Sequence, residues 1–321
     1  MSATSLPILA IVIPCYNEQE VLPATIPAID SLLLRLIKAG KVSDRSFALY
    51  VNDGSRDTTW EILSCTAAEN PRVGALNLAA NVGHQNALMA GLEQAAGLCD
   101  ITVSIDADLQ DDTDAIEGMV DAHAAGADIV YGVRARRDTD TWFKRNTALG
   151  FYRLMQSLGV KSVYNHADFR LMSARAVRDL SQYGERNLFL RGIVPLLGYR
   201  QAKVYYDRRE RMAGESKYPL GKMLSFAVDG ITSFSVKPVR MVLAAGGVFL
   251  LVALGILIYV LVRYESGNTI PGWSSLILSI WFCSGVILIS LGVIGEYIGK
   301  IYKEVKQRPR YSAETFIPPR H

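Results

Sequence analysis

Short apolar runs separated by longer stretches of helical spacing organise the first two-thirds of the chain. The runs are Ile8–Ile13, Phe47–Val51, Val73–Leu78, Ile101–Ile105 and Ile129–Tyr131, and between them Val21–Ile37 and Thr59–Ala68 repeat apolar residues three and four apart. This alternation predicts an α/β domain with a mostly parallel sheet covered by helices. In such sheets ligands bind beyond the carboxyl ends of the strands. Polar clusters fall at those ends: Pro14-Cys15-Tyr16-Asn17-Glu18, Asn52-Asp53-Gly54-Ser55-Arg56-Asp57, Asn81-Val82-Gly83-His84 and Asp106-Ala107-Asp108. Four polar loops are thereby expected along one rim.

The pattern changes towards the other end. Met241–Val262 and Trp273–Gly295 are uncharged runs of 22 and 23 residues. As helices each reaches roughly 33 Å, enough for a hydrocarbon core of about 30 Å. The connection Arg263–Gly272 holds Gly267, Asn268, Pro271 and Gly272, so a tight transmembrane hairpin is expected. Lys237 and Arg240 precede it, and Lys300, Lys303, Lys306, Arg308 and Arg310 follow it, which places both ends in the cytoplasm, with the basic residues read as neighbours of lipid headgroups. Tyr218–Pro238 mixes apolar and charged positions and reads as an amphipathic segment on the membrane surface or as a helix docked on the sheet. The expected division is a cytosolic catalytic domain over 1–217, an interfacial segment over 218–238, a hairpin over 239–299 with spans at 241–262 and 273–295, and a basic cytosolic tail over 300–321. Leu6–Ile13 lacks a basic leader, so the N-terminal part reads as cytosolic rather than as a signal peptide.

Composition narrows the classes. Half of the 321 residues are hydrophobic, mean hydropathy is +0.17, and the net charge of +3 is too small to suggest nucleic acid. Cys15, Cys65, Cys99 and Cys283 show no metal-ligand spacing and read as packing residues in a reducing compartment. No Gly-x-Gly-x-x-Gly follows the first run, which disfavours a dinucleotide oxidoreductase.

The candidate chemistry centres on Asp106 and Asp108. In extended backbone, side chains two apart share a face, so both carboxylates could meet one cation beyond the strand. Magnesium or manganese held by one or two carboxylates, with substrate phosphates and waters completing the shell, suits phosphate-ester chemistry. The triplets Asp112/Asp114 and Asp138/Asp140 sit in polar segments and read as solvated turns. His84 lacks a partner at ligand spacing and reads as a loop-to-helix junction residue.

These motifs, with Asp168-Phe169-Arg170-Leu171, Glu185-Arg186-Asn187-Leu188-Phe189, Gly214-Glu215-Ser216-Lys217 and Gly295-Glu296-Tyr297-Ile298-Gly299-Lys300-Ile301-Tyr302, occur in an order that resembles glycosyltransferase family 2. Within it, the chain is similar to the polyprenyl-phosphate glycosyltransferases of the bactoprenol glucosyltransferase and dolichol-phosphate mannose synthase type. The resemblance implies a GT-A fold and inverting, metal-dependent transfer of one sugar from a nucleotide-sugar to a polyprenyl phosphate. Glucose from UDP-glucose onto undecaprenyl phosphate is the preferred reading; GlcNAc or mannose donors stay open. Pro14, Tyr16, Glu18, Asp53 and Asp106 would hold the nucleotide. Asp106 and Asp108, with Gln110 nearby, would bind Mg²⁺ or Mn²⁺. Asn52 stands where many members have a second Asp.

Arg134, Lys144, Arg145, Arg211, Ser216 and Lys217 would bind the acceptor phosphate or the diphosphate, although single arginines in these clusters read equally as solvated faces. Asp168 would lie nearest the reacting centre, as a weak base or a positioning group; its structural alternative is a pair with Arg170 or a helix cap. The product calls for a separate flippase and cell-surface glycan modification, and a homo-oligomer is compatible. A processive polysaccharide synthase is disfavoured, since neither a Gln-x-x-Arg-Trp signature nor further membrane helices are present. A non-catalytic, membrane-tethered nucleotide-binding scaffold is the alternative from another class.

Overall fold

A computed structural model describes residues 6–134, 166–186, 188–207, 237–265 and 272–320. β1 (Leu9–Cys15), α1 (Leu22–Lys38), β2 (Phe47–Asn52), α2 (Thr59–Glu69), β3 (Val73–Leu78), α3 (His84–Ala95), β4 (Ile101–Ser104), α4 (Ala115–Ala124) and β5 (Ile129–Arg134) alternate as the apolar pattern predicts. β6 (His166–Ser173), α5 (Ala174–Gln182), α6 (Leu190–Ile193), β7 (Gln201–Tyr206), α7 (Lys237–Glu265), α8 (Trp273–Val305) and β8 (Ala313–Ile317) follow. The chain forms two compact units: 307–321 joins the N-terminal sheet unit, and α7 and α8 belong to the other.

The sheet has the order β7-β5-β6-β4-β1-β2-β3-β8. β1–β3, β4 beside β1, and β7 beside β5 run parallel, while β6 and β8 pair antiparallel with their neighbours. β1 lies between β2 and β4, so the strand order reverses there and a crevice opens at their carboxyl ends. Both faces are covered, which is why β1, β2 and β3 are buried at every position and read as continuous apolar runs. Gly91 lets α3 settle closely on the sheet: a Cβ there would lie 2.5 Å from Val12 Cγ1 and 2.6 Å from Val51 Cγ2.

Several expectations need correction. β4 stops at Ser104, and Ala107-Asp108 turn immediately, with Leu109 at φ 49°, so Asp106 and Asp108 do not share an extended strand. The basic tail is not a separate appendage. α8 continues to Val305, and β8 then pairs with β3 at the sheet edge. Arg310, expected near lipid headgroups, has a side chain only 6% exposed and is paired with Glu93 at 3.4 Å. Cys15 and Cys99 are buried as expected of packing residues, but Cys65 and Cys283 are exposed.

In the second unit, Phe282–Val305 is the one stretch among the described residues long and apolar enough to cross a membrane; Val239–Val248 is a shorter apolar stretch. Leu251, Leu288 and Ile289 are exposed, an arrangement suited to a hydrocarbon solvent rather than water. Of the interfacial segment expected over 218–238, residues 218–236 lie outside the described residues.

Candidate active site

The rim begins where β1 and β2 end. Pro14 is buried in β1, Tyr16 is 42% exposed, and Asn17 adopts a left-handed φ of 55°. Loop-to-loop hydrogen bonds fasten this turn to the one after β2: Asn17 N donates to Ser55 Oγ at 3.0 Å, Arg56 N to Asn17 Oδ1 at 2.9 Å, and Glu18 N to Thr59 Oγ1 at 2.9 Å. Asp53 is buried, and its carboxylate accepts from Val82 N at 2.7 Å and Gly83 N at 3.0 Å, tying β2 to the start of α3. Burial pushes the Asp53 carboxyl up, against the pull of those two N–H groups. Gly54 has φ 60°, and a Cβ there would sit 2.5 Å from Asn81 N and 2.6 Å from Ala80 C, which are backbone atoms with little freedom to retreat. Gly54→Ala should therefore cost about 1–3 kcal/mol, read as a lower midpoint in chemical denaturation.

The centre lies between β4 and β6. Asp168 and Arg170 are two apart on β6 and share a face. Arg170 is almost wholly buried and donates to Asp168 Oδ1 at 2.5 Å; Arg191, from α6, donates to Asp168 Oδ2 at 3.1 Å. Burial alone would raise the Asp168 carboxyl, but Arg191, Arg170 and then His84 overcome it and hold the group well below the usual carboxylate range. Asp168 is thus paired with Arg170, as its structural alternative has it, and is also a member of a larger cluster. His84, the first residue of α3, places Nε2 at 3.6 Å from Asp106 Oδ1 and 3.8 Å from Asp168 Oδ2. Its neighbour Gln85 accepts from Leu190 N at 2.9 Å and so steadies the segment that carries Arg191.

His84, which reads from the sequence as a junction residue, and Arg191, which carries no motif of its own, both belong to this centre. The available signals were the place of His84 at the carboxyl rim and of Arg191 just beyond the Glu185–Phe189 motif.

Asp106 has a side chain 46% exposed. Withdrawal from bulk water, and the charges of Asp168, Asp111 and Asp108 against the opposing His84, push its carboxyl up to about 6. Asp108 folds back, its Oδ1 accepting from Gln110 N at 3.2 Å, and Gln110 itself is buried. Among the described residues no three His, Cys, Asp or Glu side chains close around one point. A divalent cation still fits this donor set. Asp106 and Asp108 supply hard carboxylate oxygens from one turn at the rim, and Mg²⁺ or Mn²⁺ beside a diphosphate needs only one or two protein carboxylates.

Beside this centre, Arg134 at the end of β5 stands in register with Tyr206 at the end of β7. Tyr206 donates to the buried Asp111 at 2.5 Å, and Arg134 Nη2 donates to the same oxygen at 3.3 Å. The other expected anion-binding residues, Lys144, Arg145, Arg211, Ser216 and Lys217, lie outside the described residues.

Residues 10–181 match Glycosyl transferase family 2, and residues 237–301 match the GtrB C-terminal hairpin. The chain belongs to glycosyltransferase family 2. It is 51% identical over 310 residues to an uncharacterised glycosyltransferase, YkoT, of Bacillus subtilis (strain 168), covering 97% of this chain and 92% of that protein. It is 39% identical over 308 residues to the SfII prophage-derived bactoprenol glucosyl transferase of Shigella flexneri, covering 94% and 96%. A solved mannosyltransferase of Pyrobaculum calidifontis, in complex with GDP-Man and Mn²⁺, is 15% identical with a TM-score of 0.43, covering 95% of this chain and 89% of that one. By the family match and the sequence relatives, the sheet unit is the α/β domain of a family 2 enzyme, a glycosyltransferase.

Proposed function

We propose that this protein is a membrane-anchored, cytosol-facing enzyme that transfers one glucose from UDP-glucose to undecaprenyl phosphate, with inversion and with Mg²⁺ or Mn²⁺. The observation that carries this reading is the convergence of Asp106 and the guanidinium-clamped Asp168 on His84 at the strand-order reversal of a family 2 sheet. The names of the bactoprenol glucosyl transferase relatives support glucose as the sugar and bactoprenol as the acceptor lipid. The match to a C-terminal hairpin supports two spans, with the sheet unit and both termini in the cytoplasm. A separate flippase would carry the product outward for glycan modification.

In the transfer, an acceptor phosphate oxygen attacks the anomeric carbon, the bond to the nucleoside diphosphate breaks, and its electron pair leaves on the diphosphate. The acceptor's second pKa of about 6 leaves it largely ionised at pH 7, so no strong base is needed. Asp168 suits that chemistry as a fixed anion that orients Arg191, since its guanidinium partners keep it ionised. Arg134 offers a cation for the incoming phosphate. A metal held by Asp106 and Asp108 would stabilise charge on the leaving diphosphate.

Mass spectrometry of lipid extracts tests this, after incubating the full chain with undecaprenyl phosphate, Mg²⁺ or Mn²⁺, and UDP-glucose, UDP-GlcNAc or GDP-mannose. A hexose-phosphate-lipid formed with UDP-glucose alone is the expected product. A product from another donor corrects the sugar. Nucleotide binding without any lipid product favours the scaffold reading. Tyr206→Phe should raise the acceptor KM about three- to tenfold with the donor KM unchanged, because it removes two hydrogen bonds from the group that seats Arg134, the one Tyr206 donates to Asp111 and the one it accepts from Arg134 Nε; steady-state kinetics with each substrate varied separately checks it.

A further inference from the structure

The C-terminal strand reaches the nucleotide rim through a hydrogen-bond chain with one direction. Asn17 N donates to Ser55 Oγ at 3.0 Å, Ser55 N to Asn52 Oδ1 at 3.3 Å, Asn52 Nδ2 to Asn77 Oδ1 at 2.7 Å, and Asn77 Nδ2 to Glu314 Oε2 at 2.8 Å. Asn52 and Asn77 are buried, at 2% and 9% exposure, so each amide must be satisfied by these partners. Asn52 adjoins Asp53, and Asn17 lies between Tyr16 and Glu18.

Glu314 sets the direction. An ionised carboxylate only accepts, so Asn77 must turn its NH₂ towards β8 and its carbonyl oxygen towards β2, and position 52 must then donate. The backbone is shaped for this contact. β8 pairs Thr315 with Asn77 but Ala313 with Leu78, so Glu314 is the extra residue of a β-bulge, a device that re-aims a side chain.

We infer that Glu314 is a positioning residue for the nucleotide-sugar site: from the bulge in β8 it sets, through Asn77 and Asn52, the geometry of the loops that receive the nucleotide. This rests on the reading of those loops as the donor site. The chain of donors and acceptors makes a prediction that packing alone does not. Asp at position 52 cannot donate, so Asn77 would face two carboxylates with one NH₂ edge between them. Gln at 314 can present either its oxygen or its NH₂. With both changes every bond in the chain can form again with its direction reversed between 52 and 314.

The test is a double-mutant cycle on the full chain in detergent, with UDP and Mn²⁺ as the probe in titration calorimetry and thermal unfolding followed in parallel. Glu314→Gln, which can still accept from Asn77 but no longer enforces the direction, should weaken the Kd for UDP about threefold, Asn52→Asp should weaken it roughly tenfold, and the double variant should bind UDP better than Asn52→Asp, within about threefold of the wild type. If Asn52→Asp does not fold, restored folding and UDP binding in the double variant is the same rescue. Equal UDP affinity in all four proteins, or a double variant no better than Asn52→Asp, overturns the inference while the donor-site reading stands. Failure of the wild type to bind UDP, GDP or CDP overturns that reading and the inference with it.

Discussion

Asp106→Asn is expected to lower sugar transfer by on the order of 10²–10³-fold without loosening the fold. Burial, with the charges of Asp168, Asp111 and Asp108 against the opposing His84, pushes the Asp106 carboxyl up to about 6. A carboxyl raised above its unfolded value of about 3.9 carries a penalty that is absent below that value and grows as pH rises towards the folded one. Above about pH 6 that penalty is fully developed, so Asn at this position should leave the melting temperature at pH 7 unchanged or slightly higher. A cation reverses the balance for the wild type alone: Mn²⁺ with UDP should raise its melting temperature and leave that of Asp106→Asn in place. Asp108→Asn should lose activity similarly and keep its fold, because Asn at 108 can still accept from Gln110 N. Thermal scans with and without Mn²⁺ and UDP, beside initial rates, measure both effects. Retained activity in both variants would end the assignment of this pair to metal.

The parts of the fold that were legible are those where burial on both faces writes itself as an unbroken apolar run. β1, β2 and β3 were found within two residues of their ends for that reason. β6 was not, because it carries Asp168 and Arg170 on one face; a buried ion pair within a strand looks polar in sequence although Arg170 is 1% exposed. β7 is an edge strand whose exposed positions alternate with half-buried ones, and Gln201, Lys203 and Tyr205 face outward. β8 escaped because its basic neighbours fit a cytosolic tail, and only the folded chain shows Arg310 turned in to Glu93 and Asn77 waiting for Glu314.

The candidate site was legible at the ends of parallel strands and obscure wherever distant segments meet. Asp106 and Asp108 follow directly from a strand that ends in polar residues, although their geometry is that of a turn. His84 and Asp168 are 84 positions apart in sequence and reach the same centre only because β6 inserts beside β4, antiparallel to it. Asn52 has a distant cause of the same kind: its place is set by the carboxylate of a strand more than 250 residues later.

Asp168→Asn is expected to remove both stability and activity, and the two losses have separate origins. The carboxylate is the acceptor for Arg170 Nη2 and Arg191 Nη2, and Arg170 Nη1 donates to Leu190 O at 3.4 Å, with no hydrogen-bond partner for its Nε among the described residues. Neutralising Asp168 leaves a buried guanidinium uncompensated, which costs about 3–5 kcal/mol. Because the folded carboxyl is held well below the unfolded value of about 3.9, its contribution to stability is present above that value and is lost as pH falls further. The gap in melting temperature between wild type and Asp168→Asn should therefore be constant from pH 5 to 8 and shrink below about pH 4. Activity should fall for another reason. Arg191, one-third exposed, loses the partner that orients it, so transfer should drop on the order of 10²-fold under conditions where the variant is still folded. Arg191→Gln separates the two: it should reproduce much of the kinetic loss with a smaller loss of stability, since Arg170 keeps its carboxylate. Equal stability losses in the two variants would show that Asp168 holds the fold through Arg191 rather than through Arg170.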